Sequence, residues 1–157
     1  MSVYFLALVL GALTGLRTMT APAAISIAAR MGWLDLNGTW LAWLGYAWTP
    51  WILGIVAIAE LIVDQLPTTP SRTAPMPFIA RVLAGTLAGA AIGASQGAMA
   101  GGIVAGVIGA VIGTLAGYAL RMRLARAFGR DQPAAFIEDA IAYLGAALVI
   151  NALLPKV

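Results

Sequence analysis

Four of the six carboxylates in this 157-residue chain fall inside long apolar segments, where charged side chains are rare. Glu60 and Asp64 are four residues apart, so a helix places both on one face. Glu138 and Asp139 lie in a second apolar segment, and a rise of about 1.5 Å per residue brings them to a similar depth. A carboxylate in hydrocarbon costs roughly 2.5–3.5 kcal/mol on insertion scales, so such residues normally face a cavity or a partner. The spacing therefore predicts a polar site inside an apolar protein.

Paired carboxylates of this kind can share a proton or hold a cation. Because oxygen-rich sites suit Mg²⁺ or Ca²⁺, Glu60 and Asp64 are candidate metal ligands, and a divalent cation is the candidate cofactor. Simpler explanations stay open for both pairs. Asp64 is also placed to cap the end of its helix, and Glu138 and Asp139 are placed to offset the positive end of a helix dipole.

Two arginines are candidate partners for these acids. Arg17 interrupts the first apolar stretch, residues 3–29, and we expect it to neutralise Glu60 or Asp64. Arg72 lies in a proline-rich loop and is expected to converge with the carboxylates near one membrane surface. The first stretch fits either one tilted, kinked helix or a short helix that breaks near Gly15 and turns back.

The composition restricts the class of protein. Hydrophobic residues make up 62% of the chain and charged residues 10%, with a mean hydropathy of +0.95, which excludes an ordinary soluble domain. The chain has no Cys and no His, so it lacks thiolate and imidazole ligands and the commonest general base. This argues against most enzyme classes. The few basic residues lie at the ends of apolar segments, so nucleic acid is not an expected partner.

The apolar segments predict one all-α, polytopic membrane domain over residues 1–157. After the interrupted first segment, the predicted spans are residues 48–66, 78–97, 102–120 and 133–154, with the third and fourth joined at Gly101-Gly102. The total is five spans, or six if residues 3–34 form a hairpin. All five tryptophans fall within residues 33–51, which predicts a short surface helix at the membrane interface.

Glycines recur every four residues through the third and fourth predicted spans. Such a repeat lets helix backbones approach closely in lipid, where burial of apolar side chains gives little gain. It predicts a tight helical hairpin or contact with a second copy of the chain, and a sliding surface in a transporter is the functional alternative. The residues are Gly85, Gly89, Gly93, Gly97, Gly101, Gly106, Gly109, Gly113 and Gly117.

The distribution of arginines predicts the orientation. Residues 121–133 form the most basic predicted loop, and short cytoplasmic loops carry an excess of Lys and Arg. This places the loop and Arg72 in the cytoplasm and the tryptophan-rich segment outside. The apolar N-terminus has no basic residue before Arg17, so it fits a cleaved signal peptide poorly and is expected to be retained.

Several motifs together resemble a bacterial family of multi-pass membrane proteins, the domain of unknown function forty-one twenty-six. The resemblance covers nearly the whole chain and implies a location in the bacterial inner membrane, without implying an activity. It is carried by Gly15-Leu16-Arg17-Thr18 with Ala21-Pro22, residues 60–67, Pro70-Ser71-Arg72-Thr73 with Pro75, Arg81, and Glu138-Asp139.

A more local resemblance is to undecaprenyl-pyrophosphate phosphatases. Glu60, Asp64, Leu66 and Pro67 are similar to their acidic motif, and Pro70-Ser71-Arg72-Thr73 is similar to part of their Ser-Arg-Ser motif. This chain departs from the pattern, because it is shorter, lacks the motif's Gly and fuses the two motifs. The resemblance implies a lipid-phosphate ligand held by carboxylates, a divalent cation and an arginine.

Three functions follow as hypotheses. A transporter- or channel-like protein would handle a cation, a proton or a small polar solute through Arg17, Glu60, Asp64 and Glu138. A membrane enzyme would bind or hydrolyse a lipid phosphate. A structural scaffold would neutralise every acid internally and leave no cavity between its spans.

Overall fold

The computed structural model describes residues 2–64 and 73–153. These residues form six α-helices joined by turns and contain no strand. A 3₁₀ turn at Ala42–Gly45 lies between the second and third helices. The helices are α1 Val3–Leu16, α2 Thr20–Arg30, α3 Thr49–Val63, α4 Pro75–Ala94, α5 Met99–Phe128 and α6 Asp131–Leu153. The all-helical prediction is confirmed.

Three of these helices, α4, α5 and α6, are long and apolar enough to cross a membrane. They have 20, 30 and 23 residues, whereas α1 and α3 are apolar but shorter, with 14 and 15 residues. Large apolar side chains point away from the bundle and are more than half exposed. Examples are Ile55, Leu83, Ile112 and Leu148. Exposing this much apolar surface to water would be energetically unfavourable, so the outer surface of the bundle suits a lipid bilayer.

The first apolar stretch breaks at Arg17 and the chain turns back. Arg17 has an extended backbone (φ −138°, ψ 115°) between the end of α1 and the start of α2. The start of α2 lies beside Glu60 near the end of α3, whereas its end lies beside Trp48 at the start of α3. The first apolar stretch is therefore a short helix that breaks and turns back, and not one kinked helix. Pro22 is tolerated because the first N–H groups of a helix have no partner within it.

Three helices meet through backbones in close contact. A Cβ added at Gly106 of α5 would clash with the backbone of Gly85 and Gly89 of α4, and one added at Gly11 of α1 would clash with Gly106 itself. Along α1 and α5 the contacts run in parallel, from Tyr4 against Gly101 to Gly15 against Gly113. Only glycine leaves room for backbones this close. The repeat Gly11-Ala-Leu-Thr-Gly15 in α1 has the same four-residue spacing, which could have predicted this third helix.

The predicted boundaries of α5 were wrong at both ends. The turn after α4 falls at Ser95–Ala98, with Gly97 at a positive φ of 68°, and Gly101 and Gly102 lie inside α5. At the other end, α5 continues through Phe128, so Arg121, Arg123 and Arg126 are helical and not in a loop. Arginine is a good helix former, and the helix ends only where Gly129 adopts the left-handed conformation.

The tryptophan-rich segment also differs from its prediction. Its only regular structure before α3 is the four-residue 3₁₀ turn, within which Leu44 is fully buried. Trp40, Trp48 and Trp51 are 64–76% exposed, as expected of side chains that lie at a membrane interface. Turns replace the expected surface helix, because Gly38 has a positive φ of 75° and Gly45 ends the 3₁₀ turn.

Candidate functional site

A guanidinium bridges two helices at the break between α1 and α2. Arg17 Nη1 donates to Asp64 Oδ2 at 2.6 Å, and Arg17 Nε donates to Asp139 Oδ1 at 2.5 Å. Arg17 Nη2 also forms an ion pair with Asp139. The arginine is 1% exposed and the two carboxylates are 14% and 13% exposed. One buried cation thus joins the first segment to α3 and α6.

Glu60 binds the backbone of the same break. Its two carboxylate oxygens accept hydrogen bonds from the backbone N–H groups of Thr18 (2.7 Å) and Met19 (2.9 Å). These groups precede the first turn of α2, where N–H donors have no helical acceptor and the helix dipole favours a negative charge. Glu60 therefore acts as an N-terminal cap supplied by a neighbouring helix.

These four residues, Arg17, Glu60, Asp64 and Asp139, are called the break cluster below. The cluster contains one guanidinium and three carboxylates, so its formal charge is negative by two. The N-terminus of α2 offsets part of the charge on Glu60. The cluster lies at the end of the bundle where α1 and α3 end and α2 begins.

Glu138 belongs to a second ion-pair group, although it is adjacent to Asp139. It lies 3.5 Å from Arg121 of α5, which also forms a two-point pair with Asp131 at 2.5 and 3.0 Å. Consecutive residues of a helix are rotated by about 100°, so neighbouring side chains face different helices. Glu138 and Asp139 thus pair with different arginines, and their convergence with Arg72, which lies outside the described residues, stays a prediction.

A comparison with protein families decides the family of this chain. A family model described as Domain of unknown function (DUF4126) matches residues 4–155, which include every member of the break cluster. The chain belongs to the DUF4126 family. This confirms the resemblance drawn from the sequence motifs. No curated protein and no solved structure matched the chain.

Two residues of this DUF4126 chain were missed by sequence reasoning. Tyr143 of α6 lies close to Thr20 and within electrostatic reach of Arg17, Glu60 and Asp139. It follows Asp139 by four residues, so the same helical spacing that paired Glu60 with Asp64 could have found it. Thr20 is only 4% exposed and begins α2. The polar surface around the break thus includes hydroxyl groups as well as charges.

Some predicted site residues lie outside the described part of the chain. Arg72 is one of them, and so are Leu66, Pro67, Pro70 and Ser71 of the phosphatase-like motifs. The resemblance to lipid phosphatases thus depends on a segment, residues 65–72, whose geometry is not described.

The two candidate metal ligands, Glu60 and Asp64, both accept hydrogen bonds from the break between α1 and α2. Both oxygens of Glu60 accept backbone N–H groups, and Asp64 accepts a guanidinium. Within residues 2–64 and 73–153, no group of three or more acidic side chains is arranged to hold a metal ion. These donors use part of the acceptor capacity of the two carboxylates, and the metal site at Glu60 and Asp64 stays a prediction.

Glu60→Gln is expected to lower the free energy of unfolding by about 1–2 kcal/mol. The amide offers one acceptor oxygen where the carboxylate offers two, so either Thr18 N–H or Met19 N–H would face an NH₂ donor. Thermal unfolding in detergent micelles measures the change, and hydrogen exchange at residues 18 and 19 measures the loss of protection. Asp35→Asn, in an exposed loop, is the matched control. Unchanged exchange in Glu60→Gln would contradict the capping role.

Proposed function

We propose that this protein is a small transporter-like membrane protein whose break cluster responds to protons or cations. The observation that carries the proposal is that three carboxylates, from α3 and α6, meet at the break between α1 and α2. Asp64 and Asp139 pair with Arg17, and Glu60 accepts the backbone N–H groups of the break. Broken helices whose ends face polar groups within a bundle are the arrangement from which transporter sites are built.

The charge of the cluster indicates which species it would handle. Two carboxylates share Arg17 and a third caps α2, so the site has an excess of negative charge in a medium of low dielectric constant. Binding a proton or a monovalent cation would reduce this excess, whereas an anion would increase it. Other polar groups lie within electrostatic range of the site. Arg121 of α5 lies within range of Asp64, and Tyr143 of α6 lies within range of Arg17 and Glu60.

Protonation would also change how the helices are held together. Asp64 and Asp139 each form an ion pair with the same guanidinium, so neutralising one of them removes a link between the break and α3 or α6. A ligand that binds one arrangement better than the other shifts the population toward it. We propose that proton or cation binding couples in this way to movement of α1 and α2 relative to α3 and α6.

The orientation that we propose follows from the arginines. The break cluster lies at the same end of the bundle as Arg121, and α5 continues from there through Arg123 and Arg126. An excess of arginine at one end marks the cytoplasmic side in short segments. We therefore place the cluster near the cytoplasmic surface and the tryptophan-rich segment at the opposite surface. Self-association stays a prediction.

Flux through reconstituted liposomes tests the transport proposal. A pH-sensitive dye inside the vesicles follows protons, and a cation-sensitive dye follows alkali cations. The wild-type protein is expected to dissipate an imposed gradient of one or the other. Asp64→Asn and Asp139→Asn should each slow this by roughly tenfold or more, because each removes a buried charge interaction. Asp35→Asn removes an acid with no link to the cluster and should leave the rate unchanged.

A structural role is the second candidate, and one observation favours it. Each acid of the break cluster already has a hydrogen-bond donor or cation as its partner, as a scaffold requires. The same flux assay separates the two. If wild-type vesicles retain both gradients as well as protein-free vesicles do, the transport proposal fails and the scaffold is favoured.

A further inference from the structure

A groove lies at the end of the bundle opposite the break cluster, between the end of α2 and the start of α3. Its volume is about 440 Å³. One charged side chain, that of Arg30, lines it together with apolar and aromatic residues. The other lining residues are Ile27, Met31, Ala47, Trp48, Pro50 and Trp51.

Arg30 carries an uncompensated charge in this groove. No hydrogen bond or ion pair joins its side chain to any residue in 2–64 or 73–153. The acid closest to it in sequence, Asp35, instead accepts two hydrogen bonds from Asn37, at 3.0 and 2.9 Å. A guanidinium beside apolar walls attracts an anion strongly, because its five N–H donors match the oxygens of a phosphate.

The walls of the groove match the interfacial region of a membrane. Trp48 and Trp51 are 76% and 70% exposed, and indole side chains prefer the level of the lipid headgroups. Beyond them, the outer face of α3 continues with Ile52 and Ile55, which are 58% and 66% exposed. A molecule with a negative head at Arg30 and an apolar tail along α3 would contact all of these groups.

We infer that this groove binds a phospholipid of net negative charge, with its phosphate on Arg30 and one acyl chain along α3. A zwitterionic lipid brings a cationic ammonium group, quaternary in phosphatidylcholine, that repels the guanidinium, so the site prefers an anionic headgroup. A free inorganic phosphate would use Arg30 alone and leave Trp48, Trp51 and the α3 face without contacts. The inference is independent of the transport proposal, since the break cluster lies at the other end of the bundle.

Quenching of tryptophan fluorescence tests the inference directly, because all five tryptophans lie within residues 33–51. The wild-type protein is reconstituted into vesicles with increasing fractions of phosphatidylglycerol or phosphatidylcholine that carry brominated acyl chains. We expect brominated phosphatidylglycerol to quench at roughly tenfold lower mole fraction, as a charge-assisted pair between Arg30 and the phosphate implies. Arg30→Gln should abolish this preference, whereas Arg126→Gln, an exposed arginine at the other end of the bundle, should preserve it.

Each result decides for or against the lipid site. Equal quenching by the two lipids in the wild-type protein overturns the proposal without any variant. An unchanged preference in Arg30→Gln overturns it as well, and so does an equal loss in Arg126→Gln. Millimolar inorganic phosphate should not displace the brominated lipid; if it does, Arg30 binds phosphate without the lipid. Gradient flux is measured on the same vesicles, so that failure of the transport proposal is recorded separately.

Discussion

Arg17→Ala should destabilise the protein by about 3–5 kcal/mol, the cost of leaving one side of a buried ion pair without its partner. The guanidinium is 1% exposed, and its loss leaves Asp64 and Asp139 facing each other at the break. Their mutual repulsion and poor solvation add to the loss of two ion pairs. Thermal unfolding in detergent micelles measures the effect.

Controls distinguish lost pairing from lost arginine packing. Arg126→Ala removes an exposed arginine from the last turn of α5 and should change stability by less than about 0.5 kcal/mol. Adding Asp64→Asn and Asp139→Asn to Arg17→Ala removes the unpaired charges and should restore much of the stability. If Arg17→Ala melts at the parent temperature, the ion pairs contribute nothing to folding.

Gly106→Ala should destabilise the protein by about 1–3 kcal/mol, as overpacking of a tight core does. A methyl group at this position would meet the backbones of Gly85 and Gly89, and the carbonyl of Gly106 itself is against Gly11. Backbone atoms cannot rotate away as a flexible side chain can. One added methyl therefore pushes α4 away from α5.

Gly54→Ala is the matched control and should have the opposite sign. A Cβ at Gly54, in α3, would meet nothing within 4 Å. Alanine favours a helix over glycine by up to about 1 kcal/mol, so this substitution should raise stability slightly. If Gly54→Ala and Gly106→Ala destabilise the protein equally, close helix approach does not explain the effect at Gly106, and the loss of backbone freedom does.

The destabilisation expected for Arg17→Ala and for Gly106→Ala arises from two parts of the same helix bundle. Glycines bring α1 and α4 against the first half of α5, and the break cluster joins α1 and α2 to α3 and α6 at one end. The glycine contacts involve backbones and are hard to rearrange, whereas the cluster depends on charges that a single proton can alter. This contrast makes the cluster the part of the bundle where a ligand could change the structure.

Sequence reasoning succeeded where a strong physical constraint acts on single residues. Charged residues in hydrocarbon are costly, so the arginine at the break and the acids of α3 and α6 could be selected by type and position alone. It was least reliable at helix ends, where α5 begins three residues before its predicted start and ends eight residues after its predicted end. Helix propensity continues through arginines, and no local signal marks where hydrocarbon ends.

Composition and spacing alone indicated an all-helical membrane protein with an interrupted first segment, a glycine repeat and a few charges within apolar segments. Only the tertiary structure decided the partners: Asp139 but not Glu138 pairs with Arg17, Glu60 caps α2, and α1 joins the glycine contacts. The helical class, the glycine spacing and the buried charges can be predicted from local sequence, because the cost of burying a charge and the pitch of a helix are local properties. Partners depend on how helices are rotated and placed relative to one another, which no single segment specifies.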